Sequence, residues 1–313
     1  MDRTNFNRRD FLKVAGAGCA ATLAAPAFAL EAAKNKSDIG ATFILWGYDP
    51  LSLGPALRDI SRLGFHAFET FGEVIEFWED KRGGFSKIVE KYGVPIVSAF
   101  CNANVLEPDK RKDEIKKLTR WCQLLKQNNG RVIEFNATGS RKGYNYKDHK
   151  KNIIEAMNEY AKVVTDQGLV CALHPHTGTP IETEEEVYFA MENVDTNYMK
   201  FGPDVAQIEK GGGDSIKVVK DFMPLIEHVH LKDYEGGDNG YLGYAPLGKG
   251  KVDLKTLLNL LEQRRGKMAG MIMFELDSDR NETPIYHDFE AAEISRDYLK
   301  KQGYKFNKPT KTR

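Results

Sequence analysis

The chain holds little sulfur and no net charge: it has four cysteines, and 45 basic against 45 acidic side chains in 313 residues. Balanced charge gives no long-range pull on nucleic acid or on an anionic membrane surface. None of the cysteines has C-x-x-C spacing, so no disulfide framework is expected, and they read best as small buried apolar residues. The apolar run from Val14 to Phe28 is too short and too rich in Gly and Ala to remain in a bilayer as an anchor. There is no internal repeat or low-complexity tract. No G-x-G-x-x-G follows the first strand-like segment, which removes the main support for a dinucleotide-binding open sheet.

What is present begins with a leader. Asn7-Arg8-Arg9-Asp10-Phe11-Leu12-Lys13 resembles a twin-arginine export signal, and Ala27-Phe28-Ala29 places small residues for cleavage after Ala29. Residues 1–29 are therefore read as a removed signal, 30–37 as a linker, 38–308 as one folded domain and 309–313 as a tail, in an exported, periplasmic protein. The leader carries four basic and two acidic residues, so the remainder has a balance of −2 and keeps Cys101, Cys122 and Cys171.

From Asp38 onward, short apolar runs alternate with longer amphipathic ones, as in repeated βα units. Strands are expected near Ile39–Leu45, His66–Glu69, Pro95–Ala99, Arg131–Phe135, Val170–His174, Met199–Gly202, His228–Leu231 and Gly270–Phe274. Helices are expected near Pro55–Leu63, Phe85–Tyr92, Asp109–Gln127, Asp148–Asp166, Thr183–Asn193, Ser215–Phe222, Leu254–Gln263 and Phe289–Lys301. Eight of each, without a domain-breaking linker, predict a single-domain (β/α)8 TIM barrel. A doubly wound sheet is the alternative. Lys232 to Lys249 reads as a long loop serving as lid or substrate wall.

Five of the strand-like segments end in acidic or imidazole side chains: Glu134, His174 with His176, Asp204, His228 with His230, and Glu275. A single histidine is usually structural, but charged groups repeated at strand carboxyl ends converge on one mouth of a barrel, where burial is costly unless they bind a metal. Nitrogen and oxygen donors without thiolate favour Mn²⁺, Co²⁺, Mg²⁺ or Zn²⁺, with Mn²⁺ the first expectation. Because side chains alternate along a strand, His228 and His230 point the same way, as do His174 and His176 if the chain stays extended.

Leu173-His174-Pro175-His176-Thr177-Gly178-Thr179 followed by Glu182-Thr183 resembles a segment of the inosose dehydratases, in the xylose-isomerase-like TIM-barrel superfamily of sugar isomerases, epimerases and dehydratases. His228-Val229-His230-Leu231-Lys232-Asp233 and Pro246-Leu247-Gly248-Lys249-Gly250-Lys251-Val252-Asp253 resemble later motifs of that superfamily, and Trp46-Gly47-Tyr48-Asp49 and Gly64-Phe65-His66-Ala67-Phe68-Glu69 its first two strand ends. The resemblance implies metal ligands Asp204, His230 and Glu275, with His174 standing where many members carry Glu. Glu134 then either completes the metal set or acts as a base, with His176 and Lys232 as the other catalytic candidates. Trp46, Glu69, His228 and Gln207 are implied substrate contacts, and Gln207 departs from the Asp-x-x-His many members have.

The same resemblance implies enolisation beside a sugar carbonyl, from which elimination, epimerisation or isomerisation can follow. Export favours unphosphorylated substrates. The expectation is a metal-dependent lyase or hydratase acting on keto-sugars or 3-keto-glycosides, with a free-ketose isomerase or epimerase as the alternative. An endonuclease on the same barrel would need a basic groove, which the balance of −2 does not supply. A metal-free sugar-binding module is the remaining alternative. A homodimer stays open, since barrels of this kind often pair.

Overall fold

A computed structural model of the chain describes residues 36–237, 239–278 and 284–308. The expected signal (1–29), all but the last two residues of the linker, and the tail 309–313 lie outside the described residues. Ten strands are seen: β1 Ile39–Thr42, β2 Phe68–Phe71, β3 Ile96–Asn104, β4 Val132–Thr138, β5 Val170–Leu173, β6 Met199–Phe201, β7 Val229–Leu231, β8 Asp233–Tyr234, β9 Tyr244–Ala245 and β10 Ile272–Phe274. Eight of them form one parallel sheet in the order β6-β5-β4-β3-β2-β1-β10-β7. Parallel bridges Phe201–Ile226 and Asp204–His230 join β6 to β7 and close the ring. The (β/α)8 expectation holds, and the closing bridge is itself made by two expected metal ligands.

Alternation along the strands divides the side chains. Ile133 and Phe135 of β4, Val229 and Leu231 of β7, and Ile272 and Phe274 of β10 pack into the apolar layer beneath the helices. The residues between and just beyond them, Glu134, His230 and Met273, fill the barrel, where Met273, Ala67 and Val97 form a small apolar floor. Gly40 makes room for that floor, because a Cβ there would lie 2.5 Å from the Met273 sulfur. Cys101, Cys122 and Cys171 are buried and unbridged, as expected.

Several boundaries differ from expectation for local reasons. β1 ends at Thr42, because Phe43 turns helical and Ile44–Trp46 form a 3-10 turn. β3 and β4 run longer than read because they pair in continuous register from Ser98–Val132 to Asn104–Thr138. Two helices lacked an apolar period strong enough to be read. Gly72–Lys81 buries only Gly72, Val74 and Ile75 of ten residues, and Val205–Lys210 is a six-residue turn started by Asp204 itself. Among the described residues no helix is long and apolar enough to cross a membrane.

The segment after β7 is structured. β8 and β9 form an antiparallel hairpin with Asp233 opposite Ala245 and Tyr234 opposite Tyr244. Its base is held by the buried Asp233 carboxylate, which accepts backbone N–H groups of Tyr234, Gly248, Gly250 and Val252 at 2.9–3.1 Å. Gly250 is required at this approach, since a Cβ would meet the carboxylate at 2.3 Å. Asp233→Ala would strand several buried donors at a cost of about 2–4 kcal/mol, lowering the melting temperature by roughly 5–12 °C. A calorimetric shift under 2 °C would show that this carboxylate does not anchor the hairpin.

Candidate metal centre

Inside the barrel, above its apolar floor, five carboxyl groups (Glu69, Glu134, Asp204, Glu275 and Asp277) gather with His174, His228, His230 and Lys232, all nearly or fully buried. His230 is central. Its Nε2 lies 2.8 Å from Glu69 Oε1 and its Nδ1 lies 3.0 Å from Glu275 Oε2. Neither contact is directed as a hydrogen bond, and both ring nitrogens lack a partner that is.

Donor atoms of Asp204, His230 and Glu275 all lie within 4.8 Å of one another, and the same holds for Glu134, His174 and His230. The two groups meet where His174 Nε2 comes to 4.0 Å from Asp204 Oδ2. His174 Nε2, Asp204 Oδ2 and Glu134 Oε2 are buried without hydrogen bonds. Orphaned buried acceptors carry a desolvation cost that a bound cation removes, so the residues present fit a divalent metal.

Each ligand candidate is held by something else. Glu134 Oε1 sits 3.1 Å from His174 Nδ1, an arrangement that fixes the ring and turns Nε2 toward Asp204. Gly202 lets this happen, since a Cβ there would stand 2.4 Å from both Glu134 oxygens. Asp204 caps the helix it begins, its Oδ1 accepting from Ala206 N at 2.9 Å and Gln207 N at 3.0 Å, which leaves Oδ2 for the interior.

Lys232, fully buried, places its Nζ 2.9 Å from Asp204 Oδ2, 2.6 Å from Glu275 Oε1 and 2.9 Å from Asp277 Oδ2. Burial works against its charge, but Asp204, Asp277 and Glu275 outweigh that and hold its pKa well above the ordinary lysine value. Burial drives the Glu134 carboxyl well above the usual carboxylate range, with Glu69, Glu275 and Asp204 adding to the rise. Burial, reinforced by His230, drives His174 well below the usual imidazole range. A neutral His174 is the form that can offer a lone pair.

The remaining expected residues fall around this cluster. His176 is half-buried with its ring centre 5.8 Å from that of His174, and its Nδ1 meets the Thr177 carbonyl at 2.7 Å. Because a carbonyl only accepts, Nδ1 carries the proton and Nε2 keeps the lone pair. Gln207 accepts from Thr177 N and Oγ1 and donates to Asp277 Oδ2, tying the loop after β5 to that after β10. His228, expected at the substrate, lies a layer lower. Its Nδ1 accepts from Met271 N at 3.1 Å and its Nε2 serves Glu69 Oε2 at 3.0 Å and Ser98 Oγ at 3.2 Å, so it orients Glu69. Trp46 is packed in the core with its indole N–H on Asp59 Oδ2 at 3.0 Å.

Sequence reading missed two features. Asp277 lies two residues beyond Glu275 and shares its face, a signal the i, i+2 rule applied at His228 and His230 would have found. An aromatic file also leads inward: Tyr48 stacks on Phe71 at 6.1 Å, Phe71 packs on Phe100 at 5.6 Å, and Phe100 lies edge-on to His174 at 5.0 Å. Phe71 and Phe100 are register partners on β2 and β3, a juxtaposition invisible before pairing is known.

Residues 57–302 match the family model for the xylose isomerase-like TIM barrel, and residues 5–25 match that for a TAT (twin-arginine translocation) pathway signal sequence. The chain therefore carries a twin-arginine export signal, consistent with a periplasmic location. Inosose dehydratase of Yersinia enterocolitica is 28% identical over 169 residues, 48% of this chain and 54% of that protein. Inosose dehydratase of Mesomycoplasma hyopneumoniae is 23% identical over 273 residues, 81% of this chain and 84% of that protein. The match thus spans about half the length of the first relative. Among solved structures, the probable 3-DHS dehydratase of Bacillus anthracis superposes with a TM-score of 0.67 at 14% identity, covering 84% of this chain and 98% of that one. The IOLI protein with a bound zinc atom gives 0.67 at 14%, covering 85% and 97%, and apo 3-keto-D-glucoside 4-epimerase of E. coli gives 0.61 at 18%, covering 86% and 99%. These structural likenesses are of fold. With a family match over most of the domain and a closed barrel to go with it, the chain belongs to the xylose isomerase-like TIM barrel family.

Proposed function

We propose that this protein is a divalent-metal-dependent lyase or hydratase acting on 3-keto-glycosides or related keto-sugars. The observation that carries the reading is the knot of buried donor atoms on Glu134, His174, Asp204 and His230 that make no directed hydrogen bonds. His174, Asp204, His230 and Glu275 are the proposed ligands, with Glu134 orienting His174. The all-N/O donor set suits Mn²⁺ first, with Co²⁺, Mg²⁺ or Zn²⁺ as alternatives. A cation there supplies electrostatic stabilisation for negative charge developing on a carbonyl oxygen.

The side chains do the rest. His176, with Nδ1–H committed to Thr177 and a lone pair at Nε2, is placed to take the proton beside the carbonyl. In a 3-keto-glucoside that proton is on C2; its bonding pair becomes the C1–C2 double bond, and the C1–O bond breaks with its pair going to the aglycone oxygen. Lys232 keeps Asp204, Glu275 and Asp277 fixed and offsets their charge. The aromatic file from Tyr48 to Phe100 walls one side against water. Two dehydratase names among the relatives and solved structures, and a 3-keto-D-glucoside 4-epimerase among the structures, support chemistry beside a sugar carbonyl. Twin-arginine export favours unphosphorylated substrates.

Elemental analysis of the purified protein is expected to give about one divalent ion per chain, and chelator should abolish turnover of 3-keto-glucosides, with Mn²⁺ or Co²⁺ restoring it. Metal-loaded protein that leaves these substrates and inososes untouched while interconverting free ketoses would transfer the assignment to an isomerase or epimerase. A preparation that retains no metal would make it a binding module. For the ligand set, Glu134→Gln should weaken Mn²⁺ binding roughly 10- to 100-fold by calorimetry. Gly202→Ala, which alters no titratable group but displaces Glu134, should do the same; unchanged affinity in both would remove Glu134 from the metal's surroundings.

A further inference from the structure

Tyr244, on β9, is absent from the roles assigned so far. Its side chain is 1% exposed, and its hydroxyl, beside that of Thr177, makes no directed hydrogen bond among the described residues. Thr177, beside it, donates its own proton to Gln207 Oε1 at 2.7 Å. Leaving such a hydroxyl buried and unpaired costs about 1–3 kcal/mol, and its position is not slack. Its backbone N–H donates to Tyr241 O at 2.9 Å, its carbonyl accepts from Asn239 Nδ2 at 2.7 Å, and the Asp233 network holds the hairpin base. Two ammonium groups lie over the ring, Lys210 Nζ at 4.5 Å and Lys232 Nζ at 4.7 Å from its centre. Lys210 is fixed there by donating to Leu242 O at 2.8 Å.

We propose that Tyr244 is the proton donor to the departing oxygen. This rests on the elimination reading above. As His176 takes the C2 proton and the C1–O bond breaks, the aglycone oxygen takes the phenol proton and leaves as an alcohol. The resulting phenolate has the Lys210 and Lys232 ammonium groups within 5 Å of its ring centre to offset its charge. Solvent then removes the proton from His176 and returns one to Tyr244, so neither is consumed; hydration of a glycal runs the same transfers backward. Burial keeps the phenol protonated beforehand.

The test is Tyr244→Phe in the metal-loaded protein, using 3-keto-glucosides with methyl and 4-nitrophenyl aglycones. Removing an unpaired hydroxyl should leave the melting temperature unchanged or raise it. The kcat on the methyl glycoside should fall roughly 10²- to 10³-fold, against less than about tenfold on 4-nitrophenyl, whose oxygen leaves without a proton. Equal losses on both aglycones, or none, overturn the proposal. Lys210→Met, outside the barrel interior, should show the same aglycone dependence with a smaller loss, and covers the case of a poorly folding Tyr244 variant. If wild-type protein turns over neither substrate, the elimination reading fails by itself. Calorimetric binding of methyl glucoside then decides for Tyr244: roughly five- to tenfold weaker binding by the variant keeps its contact with the glycosidic oxygen, and unchanged binding removes it.

Discussion

His230 is the point on which the interior of this barrel turns. It belongs to β7, yet it faces Glu69 from β2 and Glu275 from the end of β10, and its donor atoms group with Glu134 of β4, with His174 just after β5 and with Asp204 after β6. Burial favours a neutral imidazole at this position, but Glu275 and Glu69 overcome it and hold the ring's pKa well above its ordinary value. So many carboxylates in a closed, low-dielectric space repel one another unless positive charge sits among them. Lys232 supplies one such charge on the Asp204, Glu275 and Asp277 side. The Glu134–His174 side has no such lysine, and there Glu134 Oε2 and His174 Nε2 are buried without hydrogen bonds.

The layers around that knot have separate tasks. Below it, His228 and Ser98 set the orientation of Glu69, and the Met271 N–H sets that of His228. Beside it, Phe100 packs against the His174 and His230 rings, with Phe71 behind it. Above it, the β8–β9 hairpin and the Thr177–Gln207–Asp277 chain bring loops after β5, β6, β7 and β10 into one wall. Electrostatic contacts inside the wall gain strength from that exclusion of water.

Much of the fold was legible because it follows from periodicity. Ile133-Glu134-Phe135 and Val229-His230-Leu231 already declare a buried strand with one polar face, and eight such segments separated by amphipathic stretches admit few architectures. Helices with weak periodicity escaped: Val205–Lys210 exists because Asp204 caps it, not because its own sequence is strongly helical. The long segment after β7 was read as a loop because a two-residue strand pair leaves no pattern long enough to see.

The chain alone determined which residue types stand at the strand ends, because alternation and chemistry are local properties. Asp204, His230 and Glu275 were among the strand-end candidates for that reason, and the family resemblance singled them out as ligands. Only the closed barrel decided that Glu134 orients His174, that His228 lies beneath the site, that Asp277 joins Lys232 and that two lysines lie over the Tyr244 ring. Those relations join residues from a dozen to more than a hundred positions apart, and the distance between such residues is set by strand register and ring closure, quantities that no local stretch of sequence contains.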